Sequence, residues 1–190
     1  MRCLLALLLL AALVPAAVAD VEPAEIFVMA LLDPDIPSIV AAEFRVDNLP
    51  VDQCLITEEW ASPLHLGTLY WGFSIAFMEP QAWPIVYLGT VRFLAYEDVG
   101  PDYPMVVRET NDTGKLVVVD AEYHEIPVSG GWHWFNCTVP EDCMCVPNGG
   151  LPRENYIGLF SDLNATYCYQ DLPVVTPAAD ASWGSVKSLY

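Results

Sequence analysis

Apolar and polar residues alternate in short stretches along this chain, and turn-forming residues interrupt them roughly every 8–12 positions. In residues 38–46, Val40, Phe44 and Val46 fall on one predicted strand face, and Glu43 falls on the other. Valine, isoleucine and aromatic residues dominate such stretches, as is typical of half-buried pleated surfaces. No sustained apolar stripe has the helical period. The pattern therefore predicts an all-β fold, namely an antiparallel β-sandwich.

The predicted strands lie between clusters of proline, glycine, asparagine and aspartate, which favour turns. They cover residues 25–32, 38–46, 53–57, 69–78, 85–96, 103–108, 115–119, 123–128 and 132–135, with further candidates at 155–160 and 164–169.

The spacing of these strands also predicts how the chain is divided. We expect a β-sandwich domain over residues 20–136, followed by a linker rich in cysteine, proline and glycine over 137–154. Residues 155–172 are interpreted as an extra strand segment or the stub of a second domain. Residues 173–190 are expected to be a flexible C-terminal tail, because prolines remove backbone donors and small residues bury little area.

The first nineteen residues have the pattern of a secretory signal peptide. Arg2 precedes an apolar run at 4–14, and Ala17 and Ala19 supply small residues at the expected cleavage positions before Asp20. The run is shorter than a comfortable bilayer span. We therefore expect residues 1–19 to be a signal peptide, and the mature chain to be exported to the cell envelope or the extracellular space without a membrane span.

Acidic residues outnumber basic ones, 25 to 7, and give a formal net charge of −18. Such a surface repels nucleic acids and anionic lipids, so neither is an expected partner. A solvated acidic coat explains most of these side chains. No cofactor is expected, although a calcium ion is a candidate ligand for the loop acids. The candidate loops hold Asp33 and Asp35, Glu97, Asp98 and Asp102, and Asn111, Asp112 and Asp120.

The cysteines predict disulfide chemistry, because an exported chain meets an oxidising environment. Removal of Cys3 with the signal leaves an odd number of cysteines, namely Cys54, Cys137, Cys143, Cys145 and Cys168. We expect a loop-closing disulfide from Cys137 to either Cys143 or Cys145, and a second bridge between Cys54 and Cys168 is an option. Zinc is the less favoured alternative, because cysteines separated by one residue suit a tetrahedral site poorly.

Catalytic patterns are weak in this sequence. It contains no G-x-S-x-G motif, and adjacent carboxylates on a strand point to opposite faces. Trp60 and Trp83 lie near loops and are a possible ligand platform, whereas Trp71, Trp132 and Trp134 are interpreted as packing residues. The favoured function is a non-enzymatic exported binding or structural protein, with a protein or polysaccharide partner. The alternatives are a carbohydrate-binding module and a secreted hydrolase with an unrecognised site.

The order of strands carries a resemblance at the level of pattern. Its pieces are AAEFRV at 41–46, CLITEEW at 54–60, YWGFSIAF at 70–77, LGTVRFLAY at 88–96, PMVVRE at 104–109, KLVVVD at 115–120 and EIPVSGG at 125–131. This layout resembles the cohesin-type jelly-roll sandwich of secreted bacterial assembly proteins, and an immunoglobulin-like sandwich is the other option. The resemblance implies adhesion or surface assembly and carries over no contact residues. The tail SWGSVKSLY at 182–190 resembles terminal sequences of exported bacterial proteins.

Overall fold

A computed structural model of the chain describes residues 22–139, 142–143, 155–165 and 168–175. These residues contain β-strands and no helix, so none of them forms a helix that could cross a membrane. The strands are β1 (Ala24–Leu31), β2 (Ser38–Asp47), β3 (Cys54–Trp60), β4 (Leu64–Thr68), β5 (Gly72–Ala82), β6 (Ile85–Ala95), β7 (Tyr103–Arg108), β8 (Val117–Asp120), β9 (Glu125–Pro127), β10 (Ser129–Gly130), β11 (Trp132–Phe135), β12 (Tyr156–Phe160) and β13 (Tyr169–Gln170).

Two sheets pack face to face, and the predicted β-sandwich is confirmed. The first sheet has five strands in the order β10-β12-β1-β6-β3. The second has eight strands, in which β13-β11-β7-β2-β5-β4 form the main path and β8 and β9 extend from β2. The pairing is mostly antiparallel, and β10–β12 and β11–β13 are parallel pairs.

The core lies between the two sheets and is built by alternation along the strands. Phe44 and Phe73 of the eight-stranded sheet and Val91 and Phe93 of the five-stranded sheet are fully buried there. The ring of Phe93 meets that of Phe135 edge-on, with centroids 5.1 Å apart. Side chains facing a shared interior are removed from water by both sheets, and this burial is the main stabilising term.

A bulge between Ile39 and Ala41 changes which residues of β2 face inward. Ile39 is buried, whereas Val40, which alternation placed on the inner face, is only half-buried. On the partner strand, β2 pairing passes from Gln81 to Ala76, so the intervening residues of β5 lie opposite the bulge. Pro80 lies among them, where it costs no ladder hydrogen bond. Residues 79–82, which lie between two predicted strands, are therefore an irregular part of β5.

The hairpin of β4 and β5 is the main element that strand patterns did not predict. Residues 69–71, expected to begin a strand, form the turn of this hairpin instead. Gly67 has a φ of 92°, and a Cβ there would lie 2.0 Å from the carbonyl oxygen of Gly72. Glycine is therefore required for the two strands to meet this closely.

Residues 155–172 join the sandwich through β12, which pairs antiparallel with β1 over its full length. Tyr156 and Phe160 pack with Met29 and Cys168 in a second apolar cluster. Val174 forms a bridge with Ala95 of β6. The predicted signal peptide, most of the predicted linker and tail residues 176–190 lie outside the described residues.

Candidate functional site

An apolar trough crosses the outer face of the eight-stranded sheet. Strand registers place Leu64 beside Ala76, Ala76 beside Ala41, and Ala41 beside Val119. The next outward row runs through Leu66, Ser74, Glu43 and Val117. Residues directly opposite one another in an antiparallel ladder share a face, so the two rows form one surface.

Side-chain size gives the trough its shape. The small side chains of Ala41, Ser74 and Ala76 form the floor, and leucines of β4 and valines of β8 form the two walls. The depression is shallow and has a volume of about 480 Å³. Leu64 is 53% exposed and Leu66 is 78% exposed. Exposed leucines beside a depression lined by small side chains are typical of interaction sites.

The charged side chains at the trough have partners. The Thr110 hydroxyl donates to Glu43 Oε1 at 3.0 Å, and the Thr113 hydroxyl donates to the same oxygen. Lys115 Nζ lies 2.6 Å from Glu125 Oε1 at the far wall. The hydrogen bond to Glu125 raises the pKa of Lys115. These contacts hold Glu43, which lies between Ser74 and Val117 in the second row, and Glu125 at the far wall.

Trp60, one half of the predicted ligand platform, packs between the sheets. Its ring stacks on Phe73 with centroids 3.9 Å apart and meets Phe44 edge-on at 6.2 Å. A Cβ at Gly89 would come within 2.3 Å of this ring, so the indole covers the glycine directly. Trp60 therefore seals one side of the sandwich, and its Nε1 donates to Glu58 Oε2 at 3.1 Å.

Trp83, the other half, is 46% exposed and precedes Pro84 across a cis peptide bond between β5 and β6. No ring contact joins it to Trp60 among the described residues. Trp71, which the sequence suggested to be a packing residue, is 51% exposed in the β4–β5 turn. The structure thus places an exposed tryptophan at a position that the sequence interpretation assigned to the interior.

The disulfide predicted from Cys137 is confirmed, and its partner is Cys143. Cys54 is free and buried, and burial raises the pKa of its thiol to about 11. Cys168 is itself disulfide-bonded, so the optional bridge between Cys54 and Cys168 is wrong. Cys145 lies outside the described residues.

Several of the loop acids considered as calcium ligands accept backbone hydrogen bonds. Asp33 accepts from the Asp35 amide, Asp98 from the Gly100 amide, and Asp102 from the Thr138 amide. Backbone hydrogen bonds, first from His124, lower the pKa of Asp120.

Grouped side chains that could ligate a metal ion are the other observation that bears on a metal site. Within the part of the chain that the structure describes, one cluster of ligand-type atoms joins Asp102 with Cys137 and Cys143. The two sulfurs are bonded to each other, so this donor set does not fit a metal ion.

His133 lies on the inner face of β11 and is fully buried. Burial lowers the pKa of its imidazole to about 3, and the nearby Leu159 backbone opposes this shift in part. Neither ring nitrogen meets a hydrogen-bond partner in good geometry among the described residues. His133 is therefore a neutral core residue at neutral pH and has no access to a substrate.

Comparison of the chain with protein-family models, with curated proteins and with solved structures finds no match. Function must therefore be inferred from the geometry of the trough and of the surrounding turns.

Proposed function

We propose that this chain is a non-enzymatic exported binding protein whose partner protein docks in the trough on the eight-stranded sheet. The supporting observation is the two cross-strand rows, which combine a floor of small residues with exposed leucines at one wall. A partner's apolar side chains fit between such walls and gain by leaving water. The cohesin-like order of strands points to the same class of role, adhesion or surface assembly.

Charge restricts the partner. The chain carries a net charge of −18, and Glu43 and Glu125 line the trough. A partner with an apolar ridge bordered by lysine or arginine would match this distribution, and long-range attraction would speed the encounter. The signal-like residues 1–19 support an extracellular or envelope location for the encounter.

A hydrolytic role has less support. Several acids of the described loops accept backbone hydrogen bonds, and His133 is buried and neutral. General acid–base catalysis requires groups within reach of a substrate. A non-enzymatic role therefore explains these residues with fewer assumptions.

Site-specific photocrosslinking tests the proposal. A photoreactive phenylalanine analogue placed at Ala76 should capture a partner in the native culture, and the same analogue at Thr57 serves as the control on the opposite outer face. Thr57 is exposed on β3, as Ala76 is on β5. Capture at Ala76 should disappear when Leu66→Asp is added. Equal capture at both positions, or capture that survives Leu66→Asp, would contradict the proposal.

A further inference from the structure

The turn between β4 and β5 presents two exposed aromatic rings that the core does not use. Tyr70 is 59% exposed and Trp71 is 51% exposed, although both lie beside strands of the sandwich. Exposing such large apolar surfaces costs free energy unless a ligand covers them, and tryptophan and tyrosine also carry polar atoms that tolerate a wet surface. Tyr70 lines a depression beside Val46 and Leu49, and Trp71 is the candidate binding platform.

The Trp71 ring is held in place while it remains exposed. Its Nε1 donates to Asp112 Oδ1 at 2.7 Å, across 41 positions of sequence. The Trp71 carbonyl accepts from the Asn111 amide at 2.9 Å, so the backbones of the two turns are also joined. A side chain fixed before binding loses little conformational entropy when a ligand arrives.

The surroundings of the ring supply hydroxyl-binding groups. Asp112 and Asn111 are exposed beside Trp71, and only one carboxylate oxygen of Asp112 is used by the indole. A Cβ on Gly72 would lie 3.1 Å from Thr110, so this loop fits tightly against the end of the hairpin. An aromatic face bordered by a carboxylate and an amide matches a pyranose ring, which has an apolar face and a rim of hydroxyls.

We propose that Trp71, Asn111 and Asp112 form a binding site for a neutral polysaccharide. The sugar face stacks on the Trp71 ring, and its hydroxyls donate to Asp112 and exchange hydrogen bonds with the Asn111 amide. Negative charge on the polymer is excluded, because Asp112 and the net charge of −18 repel it. Arg45, whose Nε donates to the nearby Glu109 carbonyl, is paired with Asp47 and does not reverse this preference.

This site differs from the trough and from the Trp60–Trp83 platform that the sequence suggested. The Trp60 ring stacks on Phe73, whereas the Trp71 ring is exposed to solvent. Polysaccharide binding at Trp71 therefore does not depend on partner docking in the trough.

Affinity electrophoresis of the full chain tests the site, with soluble mixed-linkage β-glucan, xylan and glucomannan as neutral probes and alginate as the anionic probe. At least one neutral polymer should retard the wild type, and alginate should not. Trp71→Ala should weaken this association by about tenfold, the loss expected when aromatic stacking and its buried area disappear. Trp71→Phe keeps an aromatic face but loses the hydrogen bond to Asp112. Its affinity for the polymer should therefore fall between those of the wild type and Trp71→Ala.

Matched variants separate this site from the other aromatic surfaces. Tyr123→Ala is a control at an aromatic residue that is 81% exposed in another turn, and Leu66→Ser alters only the trough. Both should leave retardation unchanged, as should Trp83→Ala, with folding of every variant verified by melting temperature. Absence of retardation by all three neutral polymers, equal retardation by alginate, or loss in Trp83→Ala but not in Trp71→Ala would overturn the proposal.

Discussion

The outer faces of the two sheets differ in how much of their apolar surface is buried. On the five-stranded sheet, Tyr156 and Phe160 pack with Met29 and Cys168, so a large part of the outward apolar surface is buried. On the eight-stranded sheet, the outward leucines of β4 stay exposed beside a floor of small residues. The same alternation in sequence thus produces one face that the chain covers itself and one that it leaves open. The difference indicates which face is available to a partner.

The largest expected loss of stability comes from truncating a buried side chain of the apolar cluster on the five-stranded sheet. Phe160→Ala should lower the free energy of unfolding by about 3–5 kcal/mol, because the fully buried ring leaves a cavity. Leu66→Ala, on the open face, should change it by less than about 0.5 kcal/mol. Urea denaturation of both variants measures the contrast. Similar losses in the two variants would remove the distinction between the faces.

The second expected effect is a dependence of stability on pH. It comes from His133, which is buried in the core between the two sheets. Because its folded pKa of about 3 is below the ordinary value of 6.5, the unfolded chain binds a proton first as the pH falls. Stability should therefore be complete above pH 6.5 and decline as the pH falls toward 3, with a slope of at most about 1.4 kcal/mol per pH unit.

Denaturation at several pH values between about 5 and 6.5 checks this slope before most carboxylates titrate. His133→Phe should flatten it, and His124→Gln, at an exposed histidine, should not. A slope unchanged in His133→Phe would show that another group controls the acid response. Loss of only one face in acid would show that the two sheets do not share one cooperative core.

A smaller effect is expected from the ion pairs on the five-stranded sheet. Arg92 Nε lies 2.6 Å from Glu25 Oε1, and its Nη1 lies 2.8 Å from Glu59 Oε2. These hydrogen bonds, first to Glu25 and then to Glu59, raise the pKa of Arg92. The side chains are partly exposed, so Arg92→Met should cost less than about 1 kcal/mol, measured by urea denaturation. A cost as large as that of Phe160→Ala would mean that charge, rather than apolar covering, stabilises this face.

The parts of the fold that depend on local pattern were predictable from the sequence. Strands β6, β7 and β11 lie within a residue of their predicted bounds, because alternation and turn residues mark their ends. Strand β4 was missed, because its leucines point to solvent and alternation identifies strands by their buried residues. The trough depends on the registers of several strands distant in sequence, which no local signal encodes.

The exposure of the tryptophans was likewise not predictable from local sequence. Trp60 was expected at a ligand surface, but β3 pairs with β6 in a register that places its ring over Gly89 and against Phe73. Trp71 was expected in the interior, but a hairpin turn displaces it to the surface. Proximity to a predicted loop therefore indicated exposure for Trp83 but not for Trp60, because tertiary pairing decides which face of each ring is covered.

Hydroxyl-radical footprinting in the native culture tests the central claim most directly, because it reports both outer faces in one experiment. In the isolated protein, Leu64 and Leu66 should be labelled strongly and Phe160 weakly. In protein recovered with its partner, the labelling of Leu64 and Leu66 should fall severalfold, while that of Leu55, exposed on the five-stranded sheet, stays constant. Protection of Leu55 without protection of Leu66 would contradict the claim that the open face of the eight-stranded sheet binds the partner.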